Sequence, residues 1–149
     1  MDGVVSDMHP DIVWHQAQGL PHGGVYHGLE EVRRNIFDPL DRDWWSEFTA
    51  EPEDFLDAGD EVVVIGRYRG VAQESGKKLD VPFVHVWTMR DEKAIRFRQF
   101  LDTAGWVEAL SLGRGLLRAR HLRATHGSPL RHLRATQGSP LRHHSFPAY

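Results

Sequence analysis

Three consecutive segments between residues 61 and 102 alternate between apolar and other side chains, and this pattern limits the folds open to the chain. They read EVVVIGRYRGVAQ, VPFVHVWTMRD and AIRFRQFLD, with only the short stretches ESGKK and RDEK between them. Alternation with a period of two is typical of β-strands that have one buried face. Connections this short join neighbouring antiparallel strands, so the sequence predicts a sheet built from hairpins.

Each of these strands contributes one polar side chain to the same inner face. They are Tyr68, His85 and Gln99. The other side chains that alternation assigns to this face are apolar: Val62, Val64, Ala72, Val81, Phe83, Trp87, Met89, Ile95, Phe97 and Leu101. A few polar groups inside an apolar concave surface are typical of a small-molecule site.

The segments before residue 61 predict one helix and two further strands. HGLEEVRRNIFDPL predicts a helix, because Leu29, Val32 and Ile36 form an apolar stripe and Pro39 limits its end. DIVWHQAQG and WWSEFTAEPEDFLDAGD predict strands, and the proline in the second favours a sheet edge. TAGWVEAL predicts a terminal turn or short helix. A helix followed by a strongly curved antiparallel sheet is an α+β pattern.

Charge divides the chain into a domain over residues 1–112 and a basic tail over residues 113–149. All 21 acidic residues lie in the first part, whereas the tail holds seven arginines and no acidic residue. Within the tail, RHLRATHGSPL recurs at once as RHLRATQGSPL. A period of eleven residues broken by Gly-Ser-Pro is too short for the usual solenoid repeats. We interpret the tail as a poorly ordered extension from a tandem duplication, and we do not expect it to bind nucleic acid.

Composition and spacing exclude several classes of protein. The chain has no cysteine, which excludes disulfides and thiolate metal sites. The histidines show no zinc-site spacing, so we predict no metal and no cofactor. No apolar run approaches the roughly 18 residues of a membrane span, and the start MDGVVSDMHPD lacks the regions of a signal peptide. We therefore expect a cytoplasmic domain without a membrane partner.

Residues 8–104 resemble the SnoaL-like polyketide cyclase and ketosteroid isomerase group. The resemblance rests on the order and spacing of HPDIVWH, YHGLEEVRRNIF, DFLDAGDEVVVIGRYRG and FVHVWTMRDEKAIRFRQFLD. It implies the nuclear-transport-factor-2-like fold, a cone in which a curved antiparallel sheet packs on helices around a deep pocket. The long first helix of the family is absent here or reduced to DGVVSDM.

The resemblance also implies roles for individual positions. The carboxylate base that ketosteroid isomerases carry at the end of the first strand matches His15, and their oxyanion-binding acid matches His85. Polyketide cyclases have a histidine that matches His85, whereas their acid/base aspartate falls at Gln99, an amide that cannot transfer a proton. Asp102 is the nearest substitute acid, but alternation points it away from the inner face unless a bulge intervenes.

Our main hypothesis is a cyclase- or isomerase-type enzyme for a mostly apolar carbonyl compound. His15 or His85 would move a proton, and the other, with Gln99 and Tyr68, would hold the developing oxyanion. The candidate ligand-binding residues are Tyr68, Trp87, Phe83, Phe97, Trp14 and Asp102. One alternative is a non-catalytic module that binds a small hydrophobic ligand in the same cup, and another is an assembly domain without a ligand. A histidine buried for structural reasons is also compatible with the pattern at His85.

The opposite face of the sheet combines apolar area with charge, which favours a homodimer interface. The proposed contact residues are Arg67, Arg69, Val63, Ile65, Val84 and Val86.

Overall fold

Seven strands form one curved sheet in the computed structural model, which describes residues 7–112 and the backbone of residues 133–135. The strands are β1 (Met8–Gln16), β2 (Gly24–His27), β3 (Trp45–Ala58), β4 (Glu61–Ala72), β5 (Lys78–Arg90), β6 (Lys93–Leu101) and β7 (Leu133–Ala135). Their order across the sheet is β2-β1-β6-β5-β4-β3-β7. Apart from β7, the predicted tail lies outside the described residues.

The predicted hairpins are present, and they account for the antiparallel body of the sheet. Strand β3 pairs antiparallel with β4, β4 with β5, and β5 with β6. Strand β1 instead pairs parallel with β6, and β7 pairs parallel with β3. Nearly the whole domain separates β1 from β6, so no tight turn forces these two strands to run in opposite directions.

Two helical segments complete the α+β architecture. Helix α1 (Gly28–Val32) continues as two π-helical turns, Arg33–Phe37 and Leu40–Trp44, and α2 (Thr103–Leu110) follows the last hairpin strand. The expectation that Pro39 ends the first helix is wrong, because helical backbone continues to Trp44. Pro39 directly precedes the second π-helical turn, and the start of a turn is where a missing N–H is tolerated.

The inner face of the sheet is buried in the order that alternation predicts. Every second residue of β4 from Val62 to Tyr68 and every second residue of β5 from Leu79 to Met89 is buried. In β6 the sequence assigns Ile95 to this face, but Ala94 is buried there and Ile95 is only half-buried. The cause is a register shift between Thr88 and Met89, which displaces the alternation by one residue at the start of β6.

A glycine in β4 allows the aromatic side chains of the inner face to pack closely. A Cβ placed on Gly66 would lie 2.6 Å from the ring of Phe83 and would collide with the carbonyl oxygen of Glu51. Only hydrogen fits at this position, so Gly66 lets the ring of Phe83 lie flat against the sheet.

Helices long and apolar enough to span a bilayer are absent from the described part of the chain.

Candidate functional site

A chain of hydrogen bonds crosses the buried inner face and connects three strands. The backbone N–H of Ala17 donates to Gln99 Oε1 at 3.1 Å, and Gln99 Nε2 lies 2.9 Å from the hydroxyl of Tyr68. The Tyr68 hydroxyl in turn contacts His85 Nε2. Tyr68, His85 and Gln99 are 4%, 3% and 7% exposed, so solvent does not compete for these bonds. The structure thus joins the three polar residues that alternation placed on one face.

The direction of each hydrogen bond follows from the first one. Because Gln99 Oε1 accepts from the backbone, the amide nitrogen of Gln99 faces Tyr68 and donates to its oxygen. The Tyr68 hydroxyl then donates a hydrogen bond to His85 Nε2. A neutral His85 that accepts at Nε2 carries its own proton on Nδ1.

Burial keeps both members of the Tyr68–His85 pair neutral. Loss of solvation lowers the pKa of His85 well below its usual 6.5. It also raises the pKa of the Tyr68 hydroxyl, an effect that the hydrogen bond from Gln99 partly offsets. The pair can therefore donate and accept hydrogen bonds at neutral pH, and His85 offers a basic nitrogen.

Aromatic rings surround this pair, and they include the wall residues that the sequence predicts. Phe83 packs against both Tyr68 and His85, with ring centroids 4.4 and 4.1 Å away. Phe97 lies 4.8 Å from His85 and stacks on Trp14 at 3.8 Å. Trp87 contacts Phe97 at 4.5 Å. The polar chain is therefore embedded in an apolar, low-dielectric surrounding.

His15 does not join this group. It is half-buried and pairs in register with Arg98, whereas its neighbours Trp14 and Gln16 are buried on the inner face. Burial and the nearby charges of Arg96, Arg98 and His27 lower its pKa. The structure therefore places His15 on the outer face of the sheet and His85 on the inner face, so the sheet lies between them.

Asp102 also lies outside the inner group. It is exposed at the N-terminus of α2, where its carboxylate accepts a hydrogen bond from the backbone N–H of Gly105 at 3.1 Å. Its position is that of a helix N-cap, a role in which aspartate satisfies an otherwise unpaired N–H group.

The sequence did not lead us to predict a second polar group on the inner face. Trp14 Nε1 donates to Gln16 Oε1 at 2.7 Å, and Gln16 Nε2 lies 2.6 Å from Nε2 of His22. Tyr26 holds the loop by donating from its hydroxyl to the carbonyl oxygen of His22 at 2.6 Å. The alternation of β1 could have predicted part of this group, because it places Trp14 and Gln16 on the same face. The contact with His22 depends on the loop between β1 and β2.

Two cavities lie close to the sheet, and neither of them is lined by Tyr68 or His85. One, of about 380 Å³, is lined by His15, Gln99, Arg98 and the exposed rim residues Val25 and Phe100, among others. The other, of about 590 Å³, lies between the second π-helical turn, the β4–β5 connection and α2. No three His, Asp or Glu side chains among residues 7–112 are grouped so that they could hold a metal ion.

Comparison with protein families gives a match to the SnoaL-like domain over residues 1–97. A search of curated protein sequences gives no match. Among solved structures, an NTF2-like protein from Burkholderia thailandensis is 33% identical, with 72% of this chain and 82% of that chain covered and a TM-score of 0.66.

Two further structures are similar to this chain. TerC, co-crystallised with polyporic acid, is 30% identical, with 73% of this chain and 84% of that chain covered and a TM-score of 0.62. A SnoaL-like polyketide cyclase candidate from Jannaschia sp. CCS1 is 24% identical, with 75% of this chain and 78% of that chain covered and a TM-score of 0.64. At this identity the similarity supports the fold alone.

Proposed function

The chain belongs to the SnoaL-like domain family, and we propose that it is a cyclase- or isomerase-type enzyme for a mostly apolar carbonyl compound. In this proposal His85 is the base and Tyr68 holds the developing oxyanion. The observation that carries it is the buried hydrogen bond between the Tyr68 hydroxyl and His85 Nε2, supported by Gln99.

Ligand binding would redirect one proton in this chain. When the Tyr68 hydroxyl turns from His85 Nε2 to the carbonyl oxygen of a ligand, Gln99 continues to donate to the phenol oxygen. That bond polarises the hydroxyl and makes it a stronger donor. The same rotation makes the Nε2 lone pair of His85 available as a base.

The chemistry is a proton transfer at carbon. The proton leaves the carbon next to the carbonyl and moves to His85 Nε2, while the C–H electron pair forms the C=C bond of an enolate. Tyr68 stabilises the oxygen that becomes negative. The imidazolium of His85 is costly in this apolar surrounding until the enolate forms beside it, so the attraction between the two charges is greatest in the transition state. Return of the proton to another carbon gives isomerisation.

The test is the exchange of carbon-bound protons for deuterium. The protein is incubated in D₂O with 2-acetylnaphthalene, and ¹H NMR follows the loss of the methyl signal next to the carbonyl. We expect His85→Gln and Tyr68→Phe each to lower the exchange rate by about 100-fold or more. Arg90→Gln, a change at an exposed position at the end of β5, is the control and should leave the rate unchanged.

The pH dependence gives a second readout of the same assignment. Since burial holds the pKa of His85 well below 6.5, His85 is neutral at pH 7 and the exchange rate should show no acid limb between pH 6.5 and 8. An acid limb centred near pH 6.5, or exchange that is unchanged in His85→Gln, would refute His85 as the base.

A non-catalytic binding module is the second candidate. The buried polar residues of the described chain are Gln16, His85 and Gln99. None of them is a carboxylate that could transfer a proton, and this favours a binding module. TerC, a relative that was crystallised with polyporic acid, makes this compound a suitable probe. Binding of polyporic acid without any exchange of 2-acetylnaphthalene protons would favour the module over the enzyme.

We also propose that two copies of the chain associate through the outer face of the sheet. Val63, Ile65, Val84 and Val86 are half-buried on this face, and Phe100 on β6 is 54% exposed. Arg67 and Arg69 flank the apolar area and are bound to Asp80 and Glu51. An apolar centre with paired charges beside it resembles a dimer interface.

A further inference from the structure

Three buried N–H groups in one aromatic cluster have no hydrogen-bond acceptor. They are Nδ1 of His22 and Nε1 of Trp45 and of Trp106, and they belong to the five buried side-chain nitrogen or oxygen atoms of the described residues that lack a partner. Trp45 and Trp106 are 0% and 1% exposed. We call these three residues the donor cluster.

The protonation of His22 follows from its neighbours. Gln16 Oε1 accepts from Trp14, so the amide nitrogen of Gln16 faces His22 and donates to its Nε2. A neutral His22 that accepts at Nε2 carries its proton on Nδ1, the atom without a partner. Burial lowers the pKa of His22 to about 4, so the ring stays neutral at physiological pH. All three unpartnered groups of the donor cluster are therefore donors.

The three rings lie next to one another. The centroid of Trp106 is 5.0 Å from that of Trp45 and 6.1 Å from that of His22. Trp106 also contacts Tyr68 at 5.5 Å in an edge arrangement, which connects the donor cluster to the His85–Tyr68 pair.

The cost of leaving these donors unpaired points to a missing acceptor. A buried donor without a partner loses its bonds to water and gains none in return, and native structures contain few of them. Elsewhere on the same face, the side chains of Gln16, Gln99 and Tyr68 are all hydrogen-bonded. Three unpaired donors on adjoining rings lack the acceptor oxygens that a bound molecule could supply.

A route from solvent lies beside the donor cluster. The 590 Å³ cavity is lined by Pro21, Trp44 and Val107, each of which is next in sequence to one donor residue. Trp44 also packs on the ring of His22, with centroids 4.2 Å apart. This side chain therefore forms part of the wall between the cavity and the donor cluster.

We propose that the donor cluster binds an acceptor oxygen, a ketone or a carboxylate, of an aromatic small molecule that enters from this cavity past Trp44. The inference rests on the proposed function, because the bound molecule would be the ligand of the inner face, with its reacting carbonyl on Tyr68 and a second oxygen on the donor cluster. It adds the chemistry of recognition: a neutral site made of N–H donors and aromatic rings selects an aromatic compound with an exposed oxygen acceptor.

The test compares 2,6-diacetylnaphthalene, which has one ketone for Tyr68 and one for the donor cluster, with 2-acetyl-6-ethylnaphthalene, which has the same ring system and only one oxygen. Equilibrium binding is measured with the full chain, and ¹H–¹⁵N spectra follow the five indole N–H signals, assigned with single Trp→Phe variants. We expect the diketone to bind at least about tenfold more tightly than the monoketone, and the indole signals of Trp45 and Trp106 to move further downfield with the diketone than with the monoketone.

Variants separate this inference from the proposed function. Trp106→Phe and His22→Phe should each remove most of the preference for the diketone, whereas Phe37→Leu, a change at a buried aromatic residue without a polar atom, should keep it. Wild-type protein that shows no preference, or no downfield shift, overturns the inference even if the variants do not fold. A preference that is lost in Tyr68→Phe but kept in Trp106→Phe and His22→Phe overturns the inference and leaves the proposed function standing.

Discussion

The half-buried His22 makes stability depend on pH in a way that one substitution isolates. Its pKa is about 4 in the folded protein, lowered by burial from the usual 6.5 that holds in the unfolded chain. Between these values the unfolded chain binds a proton that the folded protein does not bind. Stability from this group is therefore fully present above pH 6.5 and is lost as the pH falls from 6.5 towards 4.

The size of the effect follows from the two pKa values. At pH 5 the unfolded His22 is almost fully protonated and the folded one is mostly neutral. With about 1.4 kcal/mol for each pH unit of difference, lowering the pH from 7 to 5 costs about 2 kcal/mol of unfolding free energy through His22 alone. For a domain of this size that loss is a substantial part of the total stability.

The assay is urea denaturation followed by tryptophan fluorescence at pH 7, 6 and 5, for wild type and for His22→Gln. Glutamine does not titrate, so the unfolding free energy of wild type should fall about 2 kcal/mol more than that of the variant over this range. Asn35→Ala removes a hydrogen bond to the carbonyl oxygen of Glu31 without removing a titrating group, and it should shift stability equally at each pH. Equal pH dependence in wild type and His22→Gln would refute the burial argument for His22.

Four further predictions follow from the fold. Asp102→Ala should lower the unfolding free energy by about 1 kcal/mol in urea denaturation, because α2 loses its N-cap bond to Gly105, and an unchanged midpoint would contradict that role. Gly66→Ala should cost about 1–3 kcal/mol by the same measurement, since its Cβ meets the Phe83 ring and the Glu51 carbonyl, and a neutral effect would show that the contact is not close. Val84→Arg should turn a dimer into a monomer in sedimentation velocity at tens of micromolar, and a wild-type monomer at that concentration would rule out the outer-face interface. A chain that ends at residue 117 should still unfold cooperatively by circular dichroism, although it lacks β7, and loss of the cooperative transition would show that the tail is needed.

The inner face was predictable because alternation is a local property of an extended chain. In β4 and β5 each residue points to the side opposite its neighbours, so Tyr68 and His85 could be assigned to one face from the printed sequence. Short connections then required neighbouring strands to pair, which brought Gln99 to the same surface. The α+β fold and the family resemblance, both confirmed, follow from the same pattern.

Other features depended on contacts between distant parts of the chain. His15 and Trp14 are adjacent in β1, and only the parallel pairing with β6 decides which of them faces inward. Asp102 continues the alternation of β6 in the sequence, yet the backbone leaves the strand there and uses its carboxylate to begin α2. The outcome at His15 is set by where a remote strand packs, whereas the position of Asp102 agrees with the alternation of β6 and its bond to Gly105 is local.

The polar networks show most clearly which features the sequence predicts and which depend on tertiary structure. Sequence supplied the residue types, but the direction of the bonds from Ala17 through Gln99 and Tyr68 to His85 depends on a backbone N–H that is 82 residues away from Gln99. The donor cluster likewise unites a loop histidine with tryptophans from β3 and α2. Alternation determines which face a side chain occupies, whereas hydrogen bonds require positions within a few tenths of an ångström, and only the packed tertiary structure provides those.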